Sequence, residues 1–378
     1  MFELTGKYKL VQQMAKEFAE KEIKPIAQEI DENERFPEES IPKLFKAGIM
    51  GSQFPEEFGG EGGDTMSYVI ALEEIGKVCA TTATIVSIHS SIGINLLIKY
   101  GNKEQQEKYL PILTSKGIAA FLLTEPQAGT DATNQKTTAI KDGDYYIING
   151  RKMFISNAGH NDLYIVIAVT DADKGTKGIT AFLVEPDNPG IRVGKPLKKM
   201  GIRGSSTSAV FLKDCKVHKD SILGNEGDGI KIALGTLDTG RIGIAAESIG
   251  IAQGALDEAI KYVNKREQFN QKLSAFQNTQ FKIADMQTKI DAGRLLIWRA
   301  ATLKDDGKNY AKEAAMAKLY CSEIANDSTR LAVQLFGGYG YLRGNHVERM
   351  MRDAKITEIY EGTSEAQKIV ISRFLGVK

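Results

Sequence analysis

The chain has 378 residues, 42% hydrophobic and 26% charged, an ordinary balance for a folded protein with room for two or three domains. Its 49 basic and 48 acidic residues leave a formal charge of +1, and the basic residues form no run of five or more. No general field draws nucleic acid or an anionic membrane, so an anionic ligand has to be held by local groups.

The N-terminal stretch MFELTGKYKLVQQMAKEF lacks the apolar core of a signal peptide, and no segment is read as reaching the roughly 18–20 apolar residues of a membrane span. Cys79, Cys215 and Cys321 lie far apart with no CxxC spacing, which fits a reducing, cytoplasmic setting. Residues 1–116 predict an N-terminal helical domain. Leu10, Met14 and Phe18 fall at steps of four, and Ile41, Leu44, Phe45 and Ile49 at steps of three and four. Pro111 is expected to end the helix GNKEQQEKYLPIL.

Residues 117–224 predict a central β domain. LYIVIAVT, GITAFLVE and SAVFLKDCKV are short β-branched runs, and Asn149-Gly150 in YYIINGRKMFI predicts a hairpin turn. From 225 to 378 the helical period returns in longer segments, predicting a C-terminal four-helix bundle. The fold class is mainly α with a central β domain.

Several chemistries lack their motifs. There is no GxxxxGK[ST], no GxGxxG after a strand, no HExxH and no GxSxG, and the four histidines form no close cluster, so no metal site is expected. Four stretches remain that could bind or react, and each also has a plain structural reading. FLLTEPQAGTDA could bring backbone amides to a ligand or simply join a strand to a turn. In GRKMFISNAG, Phe154 and Ser156 are two apart on one strand, able to stack a planar ring and bond its edge, or only to half-bury the strand. Arg241 in LDTGRIGIA and Arg266 in KREQF could meet phosphates or make surface ion pairs. QLFGGYGY could cradle a phosphate or turn between helices. KITEIYEGTSEAQ could end a helix at Glu361 and start another at Thr363 or Ser364, with Ser364 and Gln367 forming a capping box.

Together, in this order, LTEPQAGTDA, LDTGRIGIA, EAAMAKLYCSE, QLFGGYGY and RDAKITEIYEGTSE make the chain resemble the acyl-CoA dehydrogenases essentially end to end. The similarity is greatest to the short-chain, butyryl-CoA type. The resemblance implies an FAD enzyme that oxidises an acyl-CoA thioester to its trans-2-enoyl-CoA. Glu361 would take the α-proton, flavin N5 the β-hydride, and an electron-transferring flavoprotein the electrons. Some relatives carry the base just before the LDTGR arginine instead; that position here is Gly240.

The same resemblance assigns Leu123, Thr124, Phe154 and Ser156 to the isoalloxazine, and Thr130 to both flavin and pantetheine. It gives Arg266, Phe269, Gln277, Gln334 and Gly338 to the ADP half of FAD, with Thr363 and Glu365 completing that neighbourhood. Asp238 and Arg241 would meet the CoA, and Tyr360 and Gly362 the substrate. In relatives the ADP half crosses a subunit interface, which implies a homotetramer built as a dimer of dimers. Gln127, Thr130, Phe154 and Ala366 depart from the commonest residues at their positions, but no catalytic group is lost. The same residues would serve an enoyl-CoA or aryl-enoyl-CoA reductase running in reverse. An acyl-CoA oxidase and a non-catalytic helical binding module are the remaining alternatives.

Overall fold

A computed structural model describes residues 3–377. The N-terminal part is helical: α1 (Lys7–Phe18), α2 (Lys24–Asn33), α3 (Ser40–Lys46), α4 (Thr65–Gly76), α5 (Ala80–Ile88), α6 (Asn95–Tyr100) and α7 (Lys103–Leu113). One π-helical turn joins α1 to α2 and another joins α5 to α6. Asp64 caps α4 by accepting from the Ser67 amide at 2.8 Å, and Asn102 and Gln105 form a capping box on α7. Contrary to expectation, Pro111 lies inside the last turn of α7 rather than ending it. The carbonyl it leaves unbonded belongs to Glu107, on the solvent side of the helix, where water can satisfy it.

Leu10, Met14 and Phe18 lie on α1 as their spacing predicts, with Leu10 and Met14 69% and 44% exposed. One other expectation needs correction. The helical run Ala80–Tyr100 is long and apolar enough by composition to cross a membrane. It is instead a core element, with 83% of its apolar window buried against the helices and the sheet.

The middle of the chain forms one eight-stranded sheet from β1 (Ala119–Leu122), β2 (Thr138–Asp142), β3 (Tyr145–Ser156), β4 (Leu163–Val169), β5 (Ile179–Val184), β6 (Ile191–Val193), β7 (Thr207–His218) and β8 (Ile222–Leu223). The strand order is β6-β7-β3-β2-β4-β5-β8, with β1 parallel to β4. Asn149-Gly150 is not a turn. It sits within β3 at a bulge against β7, and the hairpin reverses at Gly143-Asp144, where Gly143 has φ 62°. Gly150 serves close approach: a Cβ there would stand 2.3 Å from the Thr137 hydroxyl.

The rest comprises α8 (Gly229–Val263), the short ribbon β9 (Glu267–Gln268) and β10 (Gln271–Lys272), α9 (Gln277–Asp305), α10 (Ala311–Phe336), α11 (His346–Ala354) and α12 (Ser364–Phe374). α8 is continuous through its glycines because they lie where other chain crosses it. A Cβ on Gly250 would be 2.4 Å from the Glu73 carbonyl of α4. The largest core joins α4 and α5 to α8, α9 and α10 through Leu72, Ile75, Ile242, Ile249, Trp298 and Ala317.

A polar clasp fixes the sheet domain to the bundle. The Asp353 carboxylate of α11 accepts from the Ile202 amide at 2.5 Å, in the loop before β7, and Arg352 donates to the Met200 carbonyl at 3.2 Å. Arg352 also holds Asp31 of α2 at 2.6 Å and Glu348 at 2.6 Å, so three parts of the chain meet at one guanidinium.

Candidate active site

After α11 a short 3₁₀ turn, Lys355–Glu358, leads into Tyr360-Glu361-Gly362. Glu361 has φ 54° and Gly362 φ 92°, both in the left-handed region. For a glutamate that conformation costs on the order of 1–3 kcal/mol and persists only where the surroundings enforce it. Here they do. Gln367 Nε2 donates to the Glu361 and Gly362 carbonyls at 3.2 and 2.8 Å, and buried Lys318 of α10 donates to the Gly362 carbonyl at 2.8 Å. The expected capping box is therefore replaced: Thr363 caps α12 through the Ala366 amide, and Gln367 holds the turn instead of a Ser364 cap.

The turn aims Glu361 at α8. A Cβ added to Gly240 would lie 2.3 Å from Glu361 Oε2, so the missing side chain is the space the carboxylate occupies. Oε2 has no hydrogen-bond partner and no contact with solvent. Burial pushes the carboxyl up to about 7, against the opposing charges of Arg241 and Lys318. Arg241, 7% exposed, donates to Asp238 at 2.5 Å and keeps an unpartnered Nε–H, while burial raises the Asp238 carboxyl. Tyr360 directs its hydroxyl into the core, where it donates to Glu247 at 2.7 Å.

The other expected positions form two further groups. Leu123, Thr124 and Thr130 lie beyond the end of β1, and the Met153 amide donates to the Thr124 carbonyl at 2.8 Å, which sets Thr124 against the part of β3 that carries Phe154 and Ser156. Phe154 has φ 57° and is 62% exposed, and Ile155 between it and Ser156 is buried. Beneath them Lys152, fully buried, donates to the Leu123 carbonyl at 3.2 Å, to Glu125 at 2.8 Å and to Gln135 at 2.5 Å. Burial acts to raise the Glu125 carboxyl, but the Lys152 charge and the Lys152, Thr137 and Lys136 donors outweigh it and hold it at about 2. Gln127 completes this loop by donating to Glu125 at 2.7 Å.

Elsewhere, Arg266, Phe269 and Gln277 lie along the β9–β10 ribbon and the start of α9, and Gln334 and Gly338 at and just after the end of α10. The Arg266 guanidinium lies over the Tyr339 ring, 5.7 Å from its centroid, and Phe269 is 88% exposed. Among the described residues no hydrogen bond or ring contact joins this group to the one on the sheet. Thr363 and Glu365 stand at the start of α12, with Glu365 exposed.

Lys318 and Glu247 were missed by sequence reasoning. Lys318 lies in EAAMAKLYCSE with nothing local to single it out. Glu247 carries a signal that could have been read, a lone charge in the apolar helical stretch IGIAAESIGIA.

Residues 5–117, 120–215 and 227–376 match the models of the acyl-CoA dehydrogenase N-terminal, middle and C-terminal domains. The chain belongs to the acyl-CoA dehydrogenase family. The short-chain specific acyl-CoA dehydrogenase of Clostridium acetobutylicum is 52% identical over 98% of each chain. The caffeyl-CoA reductase-Etf complex subunit CarC of Acetobacterium woodii is 48% identical over 97% of each. The solved butyryl-CoA dehydrogenase of Megasphaera elsdenii superposes with a TM-score of 0.97 at 44% identity, covering 99% of each chain.

As a member of this acyl-CoA dehydrogenase family the protein is an FAD-dependent oxidoreductase, and its own residues fit the cofactor. The Phe154 ring is presented bare beside backbone groups that could meet a heterocycle edge. A Cβ on Gly129 or Gly338 would meet nothing within 4 Å, so both loops leave room for a ligand to approach the backbone.

Proposed function

We propose that the protein oxidises short-chain acyl-CoA thioesters to trans-2-enoyl-CoA and passes the electrons to an electron-transferring flavoprotein. One observation carries the reading: the Glu361 carboxylate is seated in the space left by Gly240 with its Oε2 buried and unpartnered, and burial raises its pKa to about 7. A thioester α-proton is too weakly acidic to leave unaided, so a base of raised pKa in a water-poor cleft is what the reaction requires. Glu361 removes the α-proton, and its backbone N–H, presented by the left-handed turn, stabilises the enolate oxygen. Gly362 supplies the positive φ of the turn and leaves Gln367 room to reach the two carbonyls that hold it. FAD, when bound, supplies the hydride acceptor for Cβ. Leu123, Thr124, Phe154 and Ser156 would hold its ring system and Thr130 both flavin and pantetheine. Arg266, Phe269, Gln277, Gln334 and Gly338 would hold the ADP half, with Thr363 and Glu365 beside them. Asp238 and Arg241 would position the CoA. The bare Phe269 and Tyr341, 88% and 82% exposed, are consistent with a subunit contact in a dimer of dimers.

Short chains are favoured by the α8 face one turn below Gly240. There the Tyr68 and Ser87 hydroxyls press on Gly243, where a Cβ would be 2.5 Å from each, which leaves little depth for an acyl tail. The test is an anaerobic titration of the yellow holoenzyme. Butyryl-CoA should bleach it, and octanoyl-CoA should do so at least about tenfold more slowly, a difference of roughly 1.4 kcal/mol in barrier. Absence of bleaching by any saturated thioester would overturn the reading. The likeness to a caffeyl-CoA reductase subunit supports the reverse direction as a second reading. Oxidation of the reduced enzyme by a cinnamoyl-type thioester faster than by crotonyl-CoA would establish it.

The carboxylate must be ionised to act, so kcat/KM is expected to be full above pH about 7 and to fall about tenfold per unit below it. Lys318→Met removes one of the two charges that pull the Glu361 pKa down, and also a bond to the turn. Its pH profile is expected to move its acidic limb upward, by an amount read directly from the profile. An unmoved limb would show that Lys318 does not influence the base.

A further inference from the structure

α8 brings a second carboxyl to the face that meets Glu361. Gly240, Gly243 and Glu247 follow at steps of three and four and share one face over about two turns, roughly 10 Å. Gly240 receives the Glu361 carboxylate, Gly243 the Tyr68 and Ser87 hydroxyls, and Glu247 reaches Tyr360. Glu247 has no solvent exposure. Its Oε1 accepts from the Tyr360 hydroxyl at 2.7 Å and from Thr84 Oγ1 at 2.9 Å, and Oε2 has no partner. Burial pushes its carboxyl up to about 8, against the hydrogen bonds from Tyr360 and Thr84, so the neutral acid predominates at pH 7.

A hydrocarbon side chain would fill this part of the core without the desolvation that a carboxyl incurs. What the carboxyl adds is a grip on Tyr360, the residue before the base. The Tyr360–Glu361 peptide carries the N–H that the proposed reaction assigns to the enolate oxygen, and it leads directly into the Glu361 side chain. Tyr360 is held at both ends, by its own amide on the Ile356 carbonyl at 3.1 Å and by its hydroxyl on Glu247.

We propose that Glu247 is a positioning residue for the dehydrogenation: by anchoring the Tyr360 hydroxyl it fixes the Tyr360–Glu361 peptide plane, and so the aim of the base and of its amide donor. The proposal rests on Glu361 acting as the base. It places the effect of Glu247 on the chemical step rather than on substrate binding.

The test compares Glu247→Leu, Glu247→Gln, Tyr360→Phe and the Leu/Phe double variant as FAD-loaded enzymes. Turnover of butyryl-CoA gives kcat and KM. Acetoacetyl-CoA, whose α-carbon is acidic enough to bind as an enolate against the flavin, gives a long-wavelength absorption band that reports how well the enolate is held. Glu247→Leu and Tyr360→Phe should each lower kcat by about 10- to 100-fold, the scale of an ångström-sized misplacement, with KM within about threefold. Both should weaken the enolate band. Glu247→Gln, isosteric with the neutral acid, should recover kcat to within about threefold of the parent. The double variant should be no slower than the slower single one, because both break the same contact.

Glu247→Leu at parental kcat, or losses that multiply in the double variant, would overturn the proposal. Should Glu247→Leu not fold, Tyr360→Phe, which removes one oxygen, decides alone: unchanged kcat and enolate band overturn it. Glu361→Gln run alongside separates the two failures. If it still turns over, the base assignment itself is wrong. If it is dead while Glu247→Leu is fully active, only the positioning role is lost.

Discussion

Glu361→Gln is expected to keep its FAD and to lose about 10³- to 10⁴-fold in the rate at which butyryl-CoA bleaches the flavin, the upper range for removing a general base. The fold should not notice the change. The contacts that hold the turn fall on the Glu361 and Gly362 carbonyls, from Gln367 and Lys318, and none of them uses the carboxylate. Glutamine has the same shape, so it fits against Gly240 as the acid does. What it cannot do is accept a proton from carbon. Nearby carboxyls do not replace it, since Asp238 is paired with Arg241 and Glu247 is turned to Tyr360 and Thr84. The check is anaerobic stopped-flow bleaching, with butyryl-CoA affinity measured separately. A loss smaller than about tenfold would move the base elsewhere.

Gly240→Ala is expected to lower kcat by about 100-fold while leaving the protein as stable as before, or up to about 1 kcal/mol more stable. Position 240 is mid-helix, where alanine is the better residue, and the added methyl meets no backbone of another element. It meets the base. At 2.3 Å from Oε2 and 2.9 Å from Cδ, the methyl takes the volume in which the carboxylate sits, and the side chain must swing away from its reacting position. Thermal unfolding and kcat measured on the same preparation check both halves of this prediction. Parental turnover would mean that the carboxylate reacts from another rotamer. A large drop in melting temperature would mean that the helix, rather than the base, needs the glycine.

Much of this molecule could be read from its chain, and the rest shares a physical cause. The turn at Glu361 was legible because Gly362 and the hydroxyls after it are contiguous in YEGTSEAQ, although the cap is Thr363 rather than Ser364; the role of base came only from the family resemblance. Helical and strand periods delivered the order of the parts because patterning is local. Asn149-Gly150 misled because a bulge needs glycine as much as a turn does, and only the neighbouring Thr137 backbone shows which is meant. α8 runs unbroken although its glycines resemble breaks in the sequence; Gly250 is kept by the close crossing of α4, far off in sequence. Glu247 acquires meaning only beside Tyr360, 113 residues later, and Lys318 only beside Gly362, 44 residues later. No window of sequence contains both members of either pair.

The clasp at Arg352 and Asp353 has a thermodynamic consequence. The loop carrying Met200 and Ile202 belongs to the sheet region, Asp31 to the N-terminal helices, and α11 leads straight into the turn that presents Glu361. The three regions therefore cannot swing apart like hinged lobes without breaking a partly buried cluster of charges. Heat or denaturant should melt them in one transition rather than in stages. A ligand, correspondingly, has to enter by small movements of the cleft walls, with Glu361 held in register throughout.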